Sequence, residues 1–229
     1  MYGCKISYNV DLANLHTFAL PARANALYQI YDQEGLDTFL EKNKQVDVPV
    51  MILSAGSNTI FLNDFAGIVV QPMHNFISVI SEDEFGIEFE VGAGVNWHQF
   101  VGYCVRSGFH GLENLALIPG SVGAAPFQNI GAYGVSLSDY LTEVKGVWLN
   151  SGEIKSMSLS DCQFGYRDSI FKTADYKNKF LITSIKLRLS KEPVVNITHK
   201  DVKKQMADQE KTPINLYNTI IRIRQAKLP

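Results

Sequence analysis

The chain has 229 residues with 46% hydrophobic content, enough to bury one sizeable core or two smaller ones, and it reads as a globular protein. A net charge of -2 and a pI near 6.2 give no general attraction to nucleic acid, and no dense Lys/Arg patch precedes the modestly basic C-terminus. Cys4, Cys104 and Cys162 are odd in number and outside any CxxC or Cys/His spacing, which argues for free thiols over a disulfide framework or a metal site, with Cys4 the most open.

Asp11, Asn14 and His16 interrupt the apolar residues at the N-terminus, so no signal-peptide core forms there, and no later run reaches the ~18 apolar residues that span a bilayer. The expectation is a cytoplasmic chain with no membrane partner and no nucleic-acid partner, acting as a monomer.

In chain order, Thr17 to Ala24 reads as a first strand and Ala26 to Tyr31 as a second, followed by a short amphipathic helix carrying Leu36, Phe39 and Leu40. Pro49 introduces an apolar strand, Val50 to Leu53. Directly after it comes Ser54-Ala55-Gly56-Ser57-Asn58, whose hydroxyls, amide and exposed N–H groups could solvate a pyrophosphate or form an ordinary turn. Gly67 to Gln71 is the next strand, and Ile77 to Ile80 with Ile87 to Val91 forms a hairpin around SEDEFG. Trp97, Phe100, Val101, Cys104 and Val105 make an i, i+3, i+4, i+7, i+8 helix stripe that ends at Gly108, with His98 on the solvated face.

Between Pro119 and Gly134, ten of sixteen residues are Gly, Ala, Ser or Pro and none is charged. That is neither a helix stripe nor a strand alternation. Gly120, Gly123, Gly131 and Gly134 permit tight turns whose N–H groups can meet an anion or a flat ring; the residues alone leave this reading beside that of a well-packed series of turns. Further on, Val144 to Leu149 and Glu153 to Leu159 flank a hairpin turn at Asn150-Ser151-Gly152. Phe180 to Leu189 alternates, with Leu181, Ile185, Leu187 and Leu189 on one side and Ser184, Lys186 and Arg188 on a wet one. From Asp201 the chain turns charged and helical, with Thr212-Pro213 as cap and first residue of a last helix. This order argues for an α+β arrangement; no GxGxxG follows a strand, and VGAGVNW does not meet that spacing.

The stretch LENLALIPGSVGAAPFQNIGAYG closely resembles the flavin-contacting segment of the UDP-N-acetylenolpyruvoylglucosamine reductase family. LSAGSNTIFLND (Leu53 to Asp64), CQFGYRDSIFK (Cys162 to Lys172) and the closing RQAKLP carry the same resemblance, which spreads it over nearly the whole chain. It implies a two-subdomain FAD-binding fold of the PCMH or vanillyl-alcohol-oxidase type, with subdomains at 1–71 and 72–229. The implied cofactors are FAD and, as reductant, NADPH; the implied substrate is UDP-N-acetylglucosamine enolpyruvate, reduced to UDP-N-acetylmuramate by two successive hydride transfers.

The resemblance places Gly56, Ser57 and Asn58 on the flavin pyrophosphate. It places Pro119, Gly120, Ser121, Gly123, Ala124, Asn129, Ile130 and Gly131 around the cofactor, and Arg224 near it. Ser54 departs from the family's usual glycine. Arg167 matches the arginine that stabilises the enol intermediate, with Tyr166 beside it as a wall of the substrate site; on the residues alone, Arg167 reads as a salt-bridge partner of Asp168 or another carboxylate. Lys227 matches a lysine that contacts the substrate diphosphate, although a solvated basic helix end is the plain alternative. His199 stands where the family often has a nucleotide-stacking tyrosine.

The family protonates its enol with a serine in a GSFFKNP-like segment and uses a glutamate near its C-terminus, both in a third, substrate-binding domain. These 229 residues stop at Lys227-Leu228-Pro229, where that domain would begin. The expectation is therefore a flavin-binding part with little turnover of its own. Another oxidoreductase of the same FAD fold, or a non-catalytic flavin-binding protein, are the alternatives.

Overall fold

The computed structural model describes residues 3–44 and 48–227. Leu228 and Pro229 of the closing motif lie outside the described residues.

Two sheets divide the chain near Pro72. The first contains β1 (Cys4–Asp11), β2 (Arg23–Ile30), β3 (Val50–Ile52) and β4 (Phe65–Pro72) in the order β1-β2-β4-β3. The β1–β2 pair is antiparallel, whereas β2 and β3 each run parallel to β4. Helix α1 (Gln33–Asn43) covers one face, with Leu36 and Phe39 buried and the Asp32 carboxylate accepting from the Gly35 N–H.

Thr17 to Ala24 is not a strand. Leu12 to Leu20 is spent instead on a 3₁₀ turn at Ala13–Leu15, a left-handed Ala19 and the contact of Thr17 N–H with the Gly56 carbonyl (3.2 Å). Pro21 has no N–H to give a ladder, so pairing begins at Arg23. The first strand is β1, whose side chains are all half-buried or exposed.

The second sheet has the order β10-β9-β11-β6-β5, all antiparallel, from β5 (Ile77–Glu82), β6 (Gly86–Gly92), β9 (Leu141–Trp148), β10 (Ile154–Ser158) and β11 (Phe180–Ser190). Between β6 and β9 run α2 (Trp97–Arg106), the small-residue segment and a two-stranded ribbon of β7 (Gly131–Ala132) and β8 (Val135–Ser136). The α2 stripe is buried throughout. Helices α3 (Lys200–Gln205) and α4 (Pro213–Gln225) close the chain, and the Thr212 hydroxyl accepts from the Asn215 N–H (3.3 Å).

The even alternation expected of β11 breaks at a bulge, where the register against β9 shifts between Ile182 and Ser184. The extra residue turns Leu181 into a small core with Val147, Tyr28 and Val70, while Ile182, Ile185 and Leu187 enter the larger core with Phe89 and Phe100. Ser184 is buried as well, and its hydroxyl donates to Glu90 (2.6 Å). Through Val147 and Leu181 the two sheets share apolar surface, which fixes the cleft between them.

Cys104 and Cys162 are buried and Cys4 is half-exposed. Burial pushes the Cys162 thiol up to about 12. Among the described residues, no helix is long and apolar enough to cross a membrane.

Glu113 lies below the small-residue segment with 1% exposure, accepting from the Gly111 N–H (2.7 Å) and paired with His110 (3.0 Å). Burial outweighs those contacts and raises its carboxyl above the ordinary value. A raised folded value means that this group's contribution is full below the unfolded value of 4.5 and is lost as pH rises through the folded one. The melting temperature of Glu113→Gln should therefore gain on wild type as pH is raised from 4 towards neutrality, and parallel melting curves across that range would refute the assignment.

Candidate functional site

Two loops form the mouth of the site. The first leaves β3 after the buried Leu53. At Gly56, φ is +62°, and a Cβ there would lie 2.0 Å from the Leu15 carbonyl oxygen, so only glycine fits against the segment that precedes β2. The second loop, Ile118 to Ser121, follows α2 and has Gly120 at φ +125°. A Cβ on Gly120 would meet nothing closer than the Ser57 hydroxyl at 3.5 Å, because its Cα faces the gap between the loops.

Side chains join the two loops across that gap. The Ser54 and Ser121 hydroxyls lie 2.6 Å apart, the Ser57 hydroxyl donates to the Pro119 carbonyl (3.3 Å), and Gln71 donates to the Ser54 carbonyl (3.1 Å). The Ser54–Ser121 bond is one a glycine at position 54 cannot make. Among the described residues, the N–H groups of Ala55, Gly56, Ser57, Asn58, Gly120 and Ser121 have no hydrogen-bond acceptor within the protein. Buried backbone donors are normally paired, and amides without a protein acceptor on facing loops are available to an anion.

Below the loops is a cavity of about 470 Å³. That lies within the ~300–1,000 Å³ range of small-molecule sites. Of the residues proposed from sequence, Gly56, Ser57, Asn58, Pro119, Ser121, Gly123, Ala124 and Ile130 line it. Trp97, Phe171, Tyr176 and Phe180 complete its apolar wall and were not foreseen. Trp97 belongs both to the buried α2 stripe and to the cavity wall: its indole donates to the Leu115 carbonyl (2.9 Å) while one surface faces the cavity. The aromatic spacing of Phe171, Tyr176 and Phe180 is the signal that could have found the rest. An apolar chamber below a ring of free amides fits a flat ring system joined to a pyrophosphate, which is the shape of FAD.

Gly120, Asn129 and Gly131 do not line the cavity. Asn129 is left-handed and buried, and its amide donates to Ser138 (3.1 Å) and to the Gly165 carbonyl (3.2 Å). The Ser169 hydroxyl donates to the Phe127 carbonyl (2.7 Å). These two bonds pin a tight turn, closed by Gly165 and Asp168, whose tip is Tyr166-Arg167. Arg167 is exposed at φ +51°, and Tyr166 is 94% exposed. Lys172 donates to the Arg167 carbonyl, and among the described residues the Arg167 guanidinium forms no ion pair, with Asp168 or any other carboxylate. The turn thus presents a free guanidinium beside the segment that lines the cavity.

Arg224 lies behind the loop, outside the cavity, and its Nε donates to the Leu117 carbonyl (3.1 Å). Lys227 pairs with Asp201 (2.6 Å) and lies 6.0 Å from the centroid of the Tyr133 ring. Asp201 raises Lys227, and Lys227 lowers Asp201. His199 meets Tyr133 edge-on at 5.0 Å, and the buried Asn114 amide ties this corner together by donating to the Tyr133 and Asn196 carbonyls. His98 is not a solvated surface residue. It is half-buried, stacked on Tyr217 of α4 and bonded to the Leu117 N–H through Nδ1 (3.1 Å), because α4 packs over the helix face that the stripe leaves free.

Comparison with known proteins agrees with this geometry. The FAD binding domain family matches residues 25–158, more than half of the chain. A UDP-N-acetylenolpyruvoylglucosamine reductase of Amoebophilus asiaticus is 37% identical over 224 residues, which is 96% of this chain but 66% of that protein, so the chain spans slightly less than two thirds of that relative. The crystal structure of UDP-N-acetylenolpyruvylglucosamine reductase from Thermus caldophilus superposes with a TM-score of 0.65 at 21% identity, covering 97% of this chain and 69% of that one. A VAO-type flavoprotein from Myceliophthora thermophila superposes over 75% of this chain and 32% of its own, with a TM-score of 0.52 at 15% identity. The fold is the two-sheet α+β flavoprotein fold shared by both structures.

Proposed function

This chain belongs to the FAD binding domain family and has UDP-N-acetylenolpyruvoylglucosamine reductases as sequence relatives, and we propose that it is the flavin-holding part of such a reductase. The observation that carries the reading is the set of six unpaired amides on two facing loops over one apolar cavity. Bound FAD would supply the hydride chemistry, taking hydride from NADPH and passing it to the double bond of UDP-N-acetylglucosamine enolpyruvate.

In this reading, Gly56, Ser57, Asn58, Gly120 and Ser121 hold the pyrophosphate, while Pro119, Gly123, Ala124 and Ile130 bound the cavity that takes the cofactor's rings and exclude water from them. Asn129 holds the turn that carries Arg167, Gly131 begins the ribbon beside the cavity segment, and Arg224 holds the backbone at Leu117. Arg167 takes the substrate carboxylate in a two-pronged hydrogen bond and steadies the charge that grows beside it as hydride arrives. Tyr166 forms the adjoining wall. Lys227 takes the substrate diphosphate by exchanging Asp201 for it. The free guanidinium favours this assignment over a non-catalytic flavin-binding protein, where an exposed arginine at positive φ would have no task.

The test is uptake of FAD by the purified 229-residue chain. A flavin absorbance band that survives desalting, with one FAD per chain by titration, is the expected result. A sample that is folded by circular dichroism yet binds no FAD would overturn the reading.

A further inference from the structure

Leu117 adopts φ +57°, a left-handed conformation unusual for a leucine, at the point where the chain enters the loop Ile118 to Ser121. Nothing in Leu117 itself favours that conformation, so its surroundings must hold it. Both polar groups of the residue are gripped. Its N–H donates to His98 Nδ1 at 3.1 Å from α2, and its carbonyl accepts from Arg224 Nε at 3.1 Å from α4. The His98 ring is itself wedged against Tyr217 of α4, with centroids 5.8 Å apart and planes 16° from parallel.

We propose that His98 is a positioning residue for the flavin: as the acceptor for the Leu117 N–H it fixes the left-handed kink that aims the free amides of Gly120 and Ser121 at the cofactor. The inference rests on the reading of the cavity as an FAD site. It assigns a task to a histidine that touches neither cavity nor loop tip.

Only a neutral imidazole, with its proton on Nε2, can accept at Nδ1. The surroundings keep it so. Burial lowers His98 below the ordinary 6.5, and Arg106 on its own helix lowers it further. From α4 the charged and titratable groups that meet the same corner are Arg224 and Tyr217. The nearest carboxylate of the 111–118 loop, Glu113, is engaged with His110 instead. Protonation would put an N–H where the Leu117 N–H already points, so the kink would be released as pH falls.

The test compares wild type, His98→Leu and His98→Asn, all as the 229-residue chain, by FAD titration from pH 5 to 8 with melting temperature and visible flavin spectrum recorded alongside. Asparagine keeps an acceptor near the Nδ1 position and does not titrate. His98→Leu should bind FAD about tenfold more weakly with a changed flavin spectrum. His98→Asn should stay within about threefold of wild type at pH 8 and lose the weakening that wild type shows on acidification. Equal affinity and spectrum in wild type and His98→Leu would overturn the proposal, as would equal losses in both variants or identical pH profiles for wild type and His98→Asn. If His98→Leu does not fold, the pH profile of His98→Asn decides. Failure of wild type itself to bind FAD would sink the reading of the cavity, and this proposal with it.

Discussion

Gly56→Ala should weaken FAD binding on the order of a hundredfold. The residue sits at φ +62°, and the added methyl would lie 2.0 Å from the Leu15 carbonyl oxygen and 2.6 Å from the His16 Cα, both backbone atoms that cannot rotate away. The loop must therefore move, and with it the amides of Ala55, Ser57 and Asn58. Losing about 3 kcal/mol of anion contacts is roughly a hundredfold in dissociation constant. Gly108→Ala is the matched control. That glycine also has positive φ (+78°), but its Cβ would meet nothing within 4 Å, at the end of α2 and away from the cavity. It should lose about 1–2 kcal/mol of stability from the left-handed backbone alone and keep its FAD affinity. Equal FAD affinity in Gly56→Ala and wild type would remove the first loop from the cofactor site.

Elements whose signal is local were legible. The α2 stripe needs only a helix period, and the β5–β6 hairpin needs only two apolar runs and a polar turn, so both lie where the pattern puts them. The two small-residue loops were legible as loops for the same reason. What a pattern cannot carry is who meets whom. Ser54 and Ser121 are 67 positions apart, and their hydrogen bond exists only because β3 and the segment after α2 are brought to one cleft by two separate sheets.

The misreadings have the same source. β1 leaves so much of its surface exposed that no alternation marks it, whereas the apolar stretch Thr17 to Ala24 leaves Phe18 and Leu20 exposed and buries only Ala22 and Ala24. Leu181 falls opposite Ile185 because a one-residue bulge between them reverses the faces of β11. His98 looked solvated because the helix that covers it, α4, comes more than a hundred residues later. Leu117 had no signal at all, since its conformation is imposed by His98 and Arg224.

The last expected result concerns Arg167 in the full-length reductase of which this chain is proposed to be a part. Arg167→Lys should lower turnover with NADPH and UDP-N-acetylglucosamine enolpyruvate on the order of a hundredfold or more, with FAD content unchanged. The residue lies at the tip of a turn held by Asn129 and Ser169, outside the cavity lining, so replacing its side chain leaves the cofactor's contacts in place. Lysine keeps the positive charge but offers a single ammonium where the guanidinium offers two parallel donors, and a carboxylate gripped at two points cannot swing as charge develops beside it. Removing one preorganised stabiliser of that kind costs about two to three orders of magnitude in rate. Asn129→Ala supplies the complementary reading, because it frees the Gly165 carbonyl while leaving the guanidinium intact. Its defect should appear in the same step and be smaller, about tenfold, if the turn's position is what matters. Full turnover in Arg167→Lys would return that side chain to a surface cation and require another group to stabilise the reacting substrate.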